Sequence, residues 1–157
     1  MSSDRIEKQT VLKAPLARVW QALTDSREFG HWFGARVAGP FEAGRSVRAR
    51  IVPTAVDPEI AKLQEPWEGV EFDMVVERIE PMRLFSFRWQ AGAEPEDGDA
   101  MTLVTFTLEA VEGGTLLRVV ETGFDALPPE RRAKAFADNE GGWEMQMRLV
   151  ALHLAAG

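Results

Sequence analysis

The sequence has no cysteine and no tyrosine, and its 157 residues include only two histidines. Without cysteine the chain has no disulfide, no thiolate ligand for zinc or an iron–sulfur cluster, and no cysteine nucleophile. The histidines, His31 and His153, lie far apart in the sequence, which leaves little material for a metal site or a catalytic triad. No glycine-rich phosphate loop, paired-carboxylate motif or Ser/His/Asp arrangement stands out. We therefore predict no catalytic residue, no metal and no cofactor.

Basic charge and long apolar runs are also scarce. The chain has 18 Lys+Arg against 25 Asp+Glu, a net charge of −7, whereas nucleic-acid binding needs a basic surface. No apolar run approaches the roughly 18 residues of a membrane span, and the first residues lack the apolar core of a signal peptide. We predict a cytoplasmic protein without nucleic-acid binding or a membrane span. The length fits one domain over residues 1–157, since a chain of about 150 residues buries roughly two thirds of its unfolded surface.

Apolar periodicity in the first third predicts a strand followed by two short helices. The strand covers Arg5–Lys13, and Pro15 suits the first position of the helix after it. An amphipathic stripe at helical spacing marks that helix: Leu16, Val19, Trp20 and Leu23. Asp25 with Glu28 three residues later resembles a capping box that opens the second helix. The second helix carries three aromatic residues: Phe29, Trp32 and Phe33.

Alternation with a period of two begins at Val47 and predicts an antiparallel sheet with one buried face. The inward residues are Val47, Ala49, Ile51, Val70, Phe72, Met74, Val76, Phe85, Phe87, Trp89, Thr102, Val104, Phe106, Leu108, Leu117 and Val119. The outward residues include both charges: Arg48, Arg50, Glu71, Asp73, Glu77, Arg88 and Arg118. We interpret them as a solvated ladder of cross-strand ion pairs, with a partner-binding surface as the alternative. Strands flanked by helices in this order predict the α+β class.

A segment bracketed by prolines, Pro53–Pro66, interrupts this pattern. We interpret it as a long loop in which Asp57 and Pro58 cap one helical turn through Leu63. Long loops in compact domains are often functional, and the alternative is a neutral surface excursion.

The last third is helical. Pro128 and Pro129 open a short segment to Ala137, and Asp138 or Asn139 caps a separate helix that runs to about Leu154. That helix has one apolar stripe of Trp143, Met147, Val150 and Leu154 and a second, nearly opposite, of Met145, Leu149 and Leu152.

A helix that is apolar on two sides needs two partners. The sheet is the first partner, and the second is either the N-terminal helices or another subunit, so we predict a homodimer through Met145, Leu149 and Leu152. Gly141 and Gly142 precede Trp143, and the pair indicates either a close approach of the backbone to a strand or a hinge.

The apolar faces of the sheet and the last helix converge on a set of aromatic residues. These are either the core alone or the wall of a cavity for a small apolar ligand. Glu121 continues the inward parity of Leu117 and Val119, and a carboxylate there would orient a ligand, unless it is solvated at the strand end. His31 is either an acid/base group at the cavity entrance or a surface histidine. We predict the ligand-binding residues Phe33, Phe72, Phe87, Trp89, Phe106, Glu121, Trp143, Met147 and Val150.

An ordered series of short segments resembles the helix-grip (START-like, SRPBCC) superfamily, in the branch related to the activator of heat-shock protein 90 ATPase. The segments are Ala14-Pro15, Val19-Trp20, Ala22–Asp25, Trp32-Phe33, Phe41–Gly44, Val76–Pro81 followed by Leu84, Phe87–Trp89, Glu121–Phe124, and Gly142-Trp143 leading into Leu149 and Leu152. The resemblance implies a seven-strand antiparallel sheet that grips a C-terminal helix over a hydrophobic cavity. It implies lipids, sterols or polyketides as ligand classes. The segment Pro53–Pro66 is longer than in many relatives.

Three functions are compatible with these observations. The first is a non-enzymatic module that binds a hydrophobic or lipid-like molecule between Pro53–Pro66, the Phe29–Phe33 segment and the helix of Trp143. The second is a co-chaperone-type protein that stimulates a chaperone ATPase through Arg48, Arg50 and Arg88. The third is a polyketide cyclase or dehydratase with His31 or Glu121 as the general base. The small number of histidines and the absence of tyrosine favour the first function, the non-enzymatic binding module.

Overall fold

A computed structural model describes residues 5–90 and 100–156. Seven strands form one curved antiparallel sheet, in the spatial order β1-β7-β6-β5-β4-β3-β2. Their bounds are β1 Arg5–Leu12, β2 Ala35–Val37, β3 Ser46–Ile51, β4 Glu71–Glu80, β5 Leu84–Gln90, β6 Met101–Val111 and β7 Gly114–Thr122. The first and last strands are neighbours, with Arg5 opposite Thr122 and Leu12 opposite Thr115.

Four helices complete the fold: α1 Leu16–Thr24, α2 Ser26–Phe33, α3 Pro58–Gln64 and α4 Pro129–Ala155. Helix α4 packs against β1 on one side and against α1 and α2 on another. The α+β helix-grip prediction is therefore confirmed, with two short helices after the first strand and a long C-terminal helix. None of the helices in the described ranges is long and apolar enough to cross a membrane.

The junction of α1 and α2 is set by Asp25. Its side chain accepts hydrogen bonds from the backbone N–H groups of Arg27 and Glu28, both at 3.0 Å, which confirms it as the N-cap of α2. The second half of the predicted capping box is absent. The Asp25 N–H donates to Gln21 O at the end of α1, and the Glu28 carboxylate pairs with Arg18 at 2.8 Å. The two helices abut, so the N–H that Glu28 would have bonded closes α1 instead.

The insertion Pro53–Pro66 is more ordered than the predicted loop. Asp57 caps α3 by accepting from the N–H groups of Glu59 and Ile60, and a 3₁₀ turn over Glu65–Trp67 follows. Ile60 is 6% exposed and joins the core. The apolar side chain anchors a helix that would be too short to form alone.

Helix α4 runs without a break from Pro129 to Ala155. The predicted end at Ala137 and the new cap at Asp138 or Asn139 are therefore wrong. Asn139 lies inside the helix, where its side chain bonds to the sheet instead of capping the backbone. The predicted close approach at Gly141 and Gly142 is also wrong, because a Cβ on either residue would meet no heavy atom within 4 Å.

The second apolar stripe of α4 is covered largely within the chain. Leu149 is fully buried, Met145 is partly buried against the core, and Leu152 is 40% exposed. The N-terminal helices are therefore a partner of this stripe, and Leu149 has no surface to offer a second subunit.

Two features of the sheet could not be predicted from the apolar periodicity. Strand β2 has only three residues, too few to show alternation. In β4 the register shifts between Val76 and Arg78, a β-bulge that adds one residue opposite β5. The bulge leaves Glu77 and Arg78 both exposed and brings Ile79 back to the inner face.

The outer face of the sheet is the predicted ladder of ion pairs. Arg48 lies 3.2 Å from Asp73 and 3.3 Å from Glu71, and Arg88 lies 2.6 Å from Glu77. Pairs as exposed as these contribute only about 0–1 kcal/mol each. Their main effect is to neutralise one another across the sheet.

Candidate functional site

The candidate site is centred on Glu121, a fully buried carboxylate on the inner face of the sheet. Glu121 lies opposite Ile6 of β1 and Val104 of β6, which are themselves buried. Its exposure is 0% although it stands near the end of β7. The inward orientation predicted from the parity of β7 is therefore what the structure has, and solvation at the strand end is wrong.

Four side chains from three elements donate to the Glu121 carboxylate. Oε1 accepts from Trp143 Nε1 of α4 at 2.8 Å. Oε2 accepts from Trp89 Nε1 of β5 at 2.9 Å and from Thr102 Oγ1 of β6 at 2.5 Å. Asn139 Nδ2 of α4 lies 3.1 Å from each oxygen. Glu121 therefore ties the sheet to the helix that the sheet grips.

All four partners are neutral. Indole and amide N–H groups only donate, so both carboxylate oxygens of Glu121 act as acceptors in these hydrogen bonds. Within the described part of the chain, no lysine, arginine or histidine forms an ion pair with Glu121. Burying a charge is costly unless hydrogen bonds or a counter-charge offset it. Within the described residues, hydrogen bonds from neutral side chains offset the cost of burying the Glu121 carboxylate.

Aromatic rings surround this network. Trp89 and Trp143 are stacked, with centroids 5.6 Å apart and planes at 22°. Phe106 meets the Trp143 ring edge-on at 5.7 Å, and Phe87 meets Trp89 at 5.3 Å. Phe33 of α2 lies 5.8 Å from Trp89 and 6.3 Å from Trp143. The sheet, α2 and α4 thus contribute rings to one cluster.

The structure brings most of the predicted site residues into this cluster. Met147 and Val150 are buried on the side of α4 that carries Trp143. Phe72 stands at the margin, partly exposed, with its ring 6.0 Å from Trp89. The rings contact one another across the space between the sheet and α4.

Two members of the Glu121 network, Thr102 and Asn139, were not among the predicted site residues. Thr102 was assigned to the inward face, without a role, and Asn139 was assigned to a helix cap. The spacing held a signal for Asn139, since it precedes Trp143 by four residues and so shares its helix face. Only a continuous α4 makes that signal meaningful.

The three elements of the predicted entrance meet at the backbone carbonyl of Phe33. Gln64 of α3 donates to Phe33 O at 3.2 Å, and Gln146 of α4 donates to the same oxygen at 3.0 Å. The Gln64 side chain also accepts from Thr54 N at 2.7 Å. The insertion is therefore attached directly beside the aromatic cluster.

His31 lies elsewhere. It is exposed on α2 and lines an open groove of about 810 Å³ whose other walls include Arg27, Arg36 and Pro53. Its ring lies 5.5 Å from that of His153, and His153 Nε2 lies 3.3 Å from Glu28. None of the described contacts of His31 involves Glu121. The two residues considered as a general base therefore do not form one site.

The histidine pair does not form a metal site in the part of the chain that the structure describes. No three His, Cys, Asp or Glu side chains within residues 5–90 and 100–156 are placed to hold a metal ion. Glu28, the nearest carboxylate to His153, is already paired with Arg18.

Comparison with solved structures gives relatives across the whole fold. DynU16, a protein of the dynemicin biosynthetic locus, is 26% identical, with a TM-score of 0.68 over 94% of this chain and 46% of that one. This chain thus spans about half the length of DynU16. Protein MLL2253 from Mesorhizobium loti is 22% identical over 97% of both chains, with a TM-score of 0.73. A protein from Rhodobacter sphaeroides is 25% identical over 99% of this chain and 94% of its own, with a TM-score of 0.68.

No curated protein matches the sequence. The profile of one family, described as "Activator of Hsp90 ATPase homolog 1-like protein", matches residues 13–154. That range contains every member of the Glu121 network and of the aromatic cluster. The ordered motifs, the helix-grip architecture and this match agree that the chain belongs to the Activator of Hsp90 ATPase homolog 1-like family.

Proposed function

We propose that this protein binds a small, largely apolar molecule between the sheet and α4, with Glu121 as the polar group that orients it. The observation that carries the proposal is the buried Glu121 carboxylate, which lies among aromatic rings at the point where sheet and helix face each other. Apolar walls with a few convergent polar groups are typical of small-molecule sites.

A purely structural role for Glu121 accounts poorly for this arrangement. Well-packed apolar side chains usually hold a core together as well as or better than a buried charge. The network also uses two indole N–H groups, Trp89 and Trp143, that stand on opposite walls of the grip. A molecule entering between the walls would find donors on both sides and an acceptor at the centre.

The family and one relative point in the same direction. DynU16 belongs to a biosynthetic locus, and the resemblance to the START-like superfamily implies lipid, sterol or polyketide ligands. Ligand entry requires the stacked rings to separate, and the Phe33 carbonyl, where α2, α3 and α4 meet, is the predicted entrance.

Intrinsic fluorescence tests the proposal directly. We expect a panel of sterols and aromatic polyketides to change the emission of the wild-type protein, and the change to be lost in Trp89→Phe and Trp143→Phe. Trp67→Phe is the matched control, because Trp67 is 44% exposed on the insertion and outside the cluster. A panel without any effect, or an effect that disappears only in the control variant, would contradict the proposal.

Two other functions remain proposals with less support. A co-chaperone role predicts that charge reversal at Arg48, Arg50 and Arg88 abolishes stimulation of a chaperone ATPase. Arg48 and Arg88 are already neutralised by neighbouring carboxylates, which weakens that prediction. A cyclase or dehydratase would have to use either His31 or Glu121 alone, since the two lie in different places.

A further inference from the structure

We infer that the ligand of the Glu121 site carries a positively charged amine on an apolar body. The inference rests on the proposed binding function and names the ligand class for that site. Its starting point is the set of partners of the Glu121 carboxylate, which accepts hydrogen bonds from four neutral side chains and pairs with no cationic side chain of the described residues.

An ammonium group would supply a cationic partner. An ammonium donor adds a direct attraction between opposite charges to its hydrogen bond with a carboxylate, and this attraction is stronger away from water. A ligand hydroxyl would merely exchange one neutral donor for another. A buried charge gains more from a cationic ligand, because the pair cancels the net charge left inside the protein.

The walls around Glu121 suit the apolar body of such a ligand. The indole N–H groups of Trp89 and Trp143 point at the carboxylate, and the two indole rings stack on each other. Phe106 and Phe87 extend this aromatic surface. The carboxylate is therefore the group that would bind the ammonium, and the rings are the surface that would contact the body.

Asn139 is the donor that such a ligand would replace. Its two contacts with Glu121, at 3.1 Å, are the longest in the network, and it is the only non-aromatic donor on the helix side. Thr102, by contrast, is fully buried in the sheet at 2.5 Å from Oε2. The hydrogen bond from Thr102 in the sheet can therefore remain while the ligand replaces those from Asn139 in α4.

The same charge disfavours anionic ligands. A fatty acid that entered with its carboxylate first would bring two like charges within a few ångströms in a low-dielectric interior. The inference therefore separates amines from fatty acids, although both have apolar bodies.

Calorimetric titration at pH 7 with three compounds of one shape tests the inference: 1-naphthylmethylamine, 1-naphthalenemethanol and 1-naphthoate. We expect the amine to bind at least tenfold more tightly than the alcohol, and the naphthoate to bind most weakly. In Glu121→Gln the preference for the amine should disappear while alcohol binding persists. The control Glu109→Gln removes one negative charge from an exposed position of β6 and should keep the preference.

A second measurement uses the wild-type protein and is independent of how well the Gln variant folds. The indole N–H resonances of Trp89 and Trp143 should shift on addition of the amine, whereas that of the exposed Trp67 should not. Equal affinity for amine and alcohol, tightest binding of naphthoate, or shifts confined to Trp67 would overturn the amine inference and leave apolar binding standing. If none of the three compounds binds and the sterol and polyketide panel is also silent, the proposed function itself fails.

Discussion

At the scale of single residues, Glu121 determines how the sheet and the helix are joined. Its carboxylate satisfies the indole N–H groups of Trp89 and Trp143 and the hydroxyl of Thr102, all of them inside the protein. Removing an acceptor from buried donors costs the full desolvation of those donors, about 1–3 kcal/mol for each group. The stability of the grip and its binding chemistry therefore depend on the same side chain.

Truncation of this residue is the first prediction. We expect Glu121→Ala to lower the free energy of unfolding by about 3–5 kcal/mol, because it leaves a cavity and removes the acceptor of the buried donors Thr102 and Trp143 and of the partly buried Trp89. Glu121→Gln keeps the side-chain volume and one acceptor oxygen, so its free energy of unfolding should fall clearly less than that of Glu121→Ala. Urea unfolding measures both. Glu77→Gln, on the outer ladder, is the control and should change stability by less than about 1 kcal/mol; an Ala variant no worse than this control would contradict the structural role.

Gly30 supplies a second prediction at this scale. A Cβ on Gly30 would stand 2.2 Å from the carbonyl oxygen of Ala35, where α2 meets β2. Alanine normally stabilises a helix position relative to glycine by about 1 kcal/mol, but here the backbone would have to move. We expect Gly30→Ala to lower the free energy of unfolding by about 1–3 kcal/mol, as overpacking does, and so to lower the melting temperature in thermal unfolding. Gly39→Ala, whose Cβ would meet only a Val47 methyl at 3.9 Å, should show little of this loss.

At the scale of elements, α4 is the part of the fold whose prediction failed most informatively. Its polar middle, around Asp138 and Asn139, predicted a break. The helix continues through this point, and the Asn139 side chain is directed at the sheet, where its Nδ2 donates to Glu121. Pattern reasoning treats asparagine as a cap because it cannot know that a carboxylate on another element faces it.

The glycine pair in α4 gives the third prediction. Neither Gly141 nor Gly142 is required by packing, so Gly141→Ala and Gly142→Ala should each stabilise the protein, by up to about 1 kcal/mol. Thermal unfolding of the two variants measures the gain. If either variant is destabilised, the helix at this point has a constraint that static packing does not reveal.

The same pair tests the hinge interpretation. Asn139 precedes the glycines and Trp143 follows them, so bending at Gly141 and Gly142 would separate the two helix donors of the site. We expect the doubly substituted protein to take up a ligand more slowly than wild type, at a similar affinity. Stopped-flow fluorescence measures the rate, and an unchanged rate would reject the hinge.

At the scale of the whole molecule, the covered second face of α4 bears on assembly. The homodimer prediction named Met145, Leu149 and Leu152. Leu149 is buried within its own chain. A dimer through α4 would therefore depend on Leu152, which is 40% exposed, and on the exposed part of the Met145 side chain. An interface centred on one exposed leucine is small compared with the roughly 800 Å² per partner of a stable dimer.

The last prediction concerns the oligomeric state and follows from the small size of that interface. We expect light scattering at micromolar concentration to give a mass near the 17.5 kDa of one chain, and Leu152→Glu to leave that mass unchanged. A mass of two chains that falls to one in Leu152→Glu would restore the homodimer and place its interface on α4. Gln21→Glu, at an exposed position of α1, serves as the charge control.

Local patterns in the sequence predict the order of the larger elements and the inward face of the strands from β3 to β7. Alternation along β3 to β7 and the stripe of α1 are local patterns, and burial follows them because a one-residue slip would turn every apolar side chain to water. The same parity argument directed Glu121 inward without any knowledge of its neighbours. The resemblance to the START-like superfamily implied one strand more than the periodicity shows. That strand is β2, which has only three residues and is too short for periodicity to detect.

The hydrogen-bond partners of Glu121 could not be predicted from such local patterns. Trp89, Thr102, Asn139 and Trp143 come from β5, β6 and α4, and their convergence depends on sheet order, on register and on the unbroken path of α4. The same holds for α3, whose Gln64 bonds to the carbonyl of Phe33 across thirty residues of sequence. Periodicity reports the direction of a side chain relative to its own backbone, whereas hydrogen-bond partners are set by contacts between distant segments.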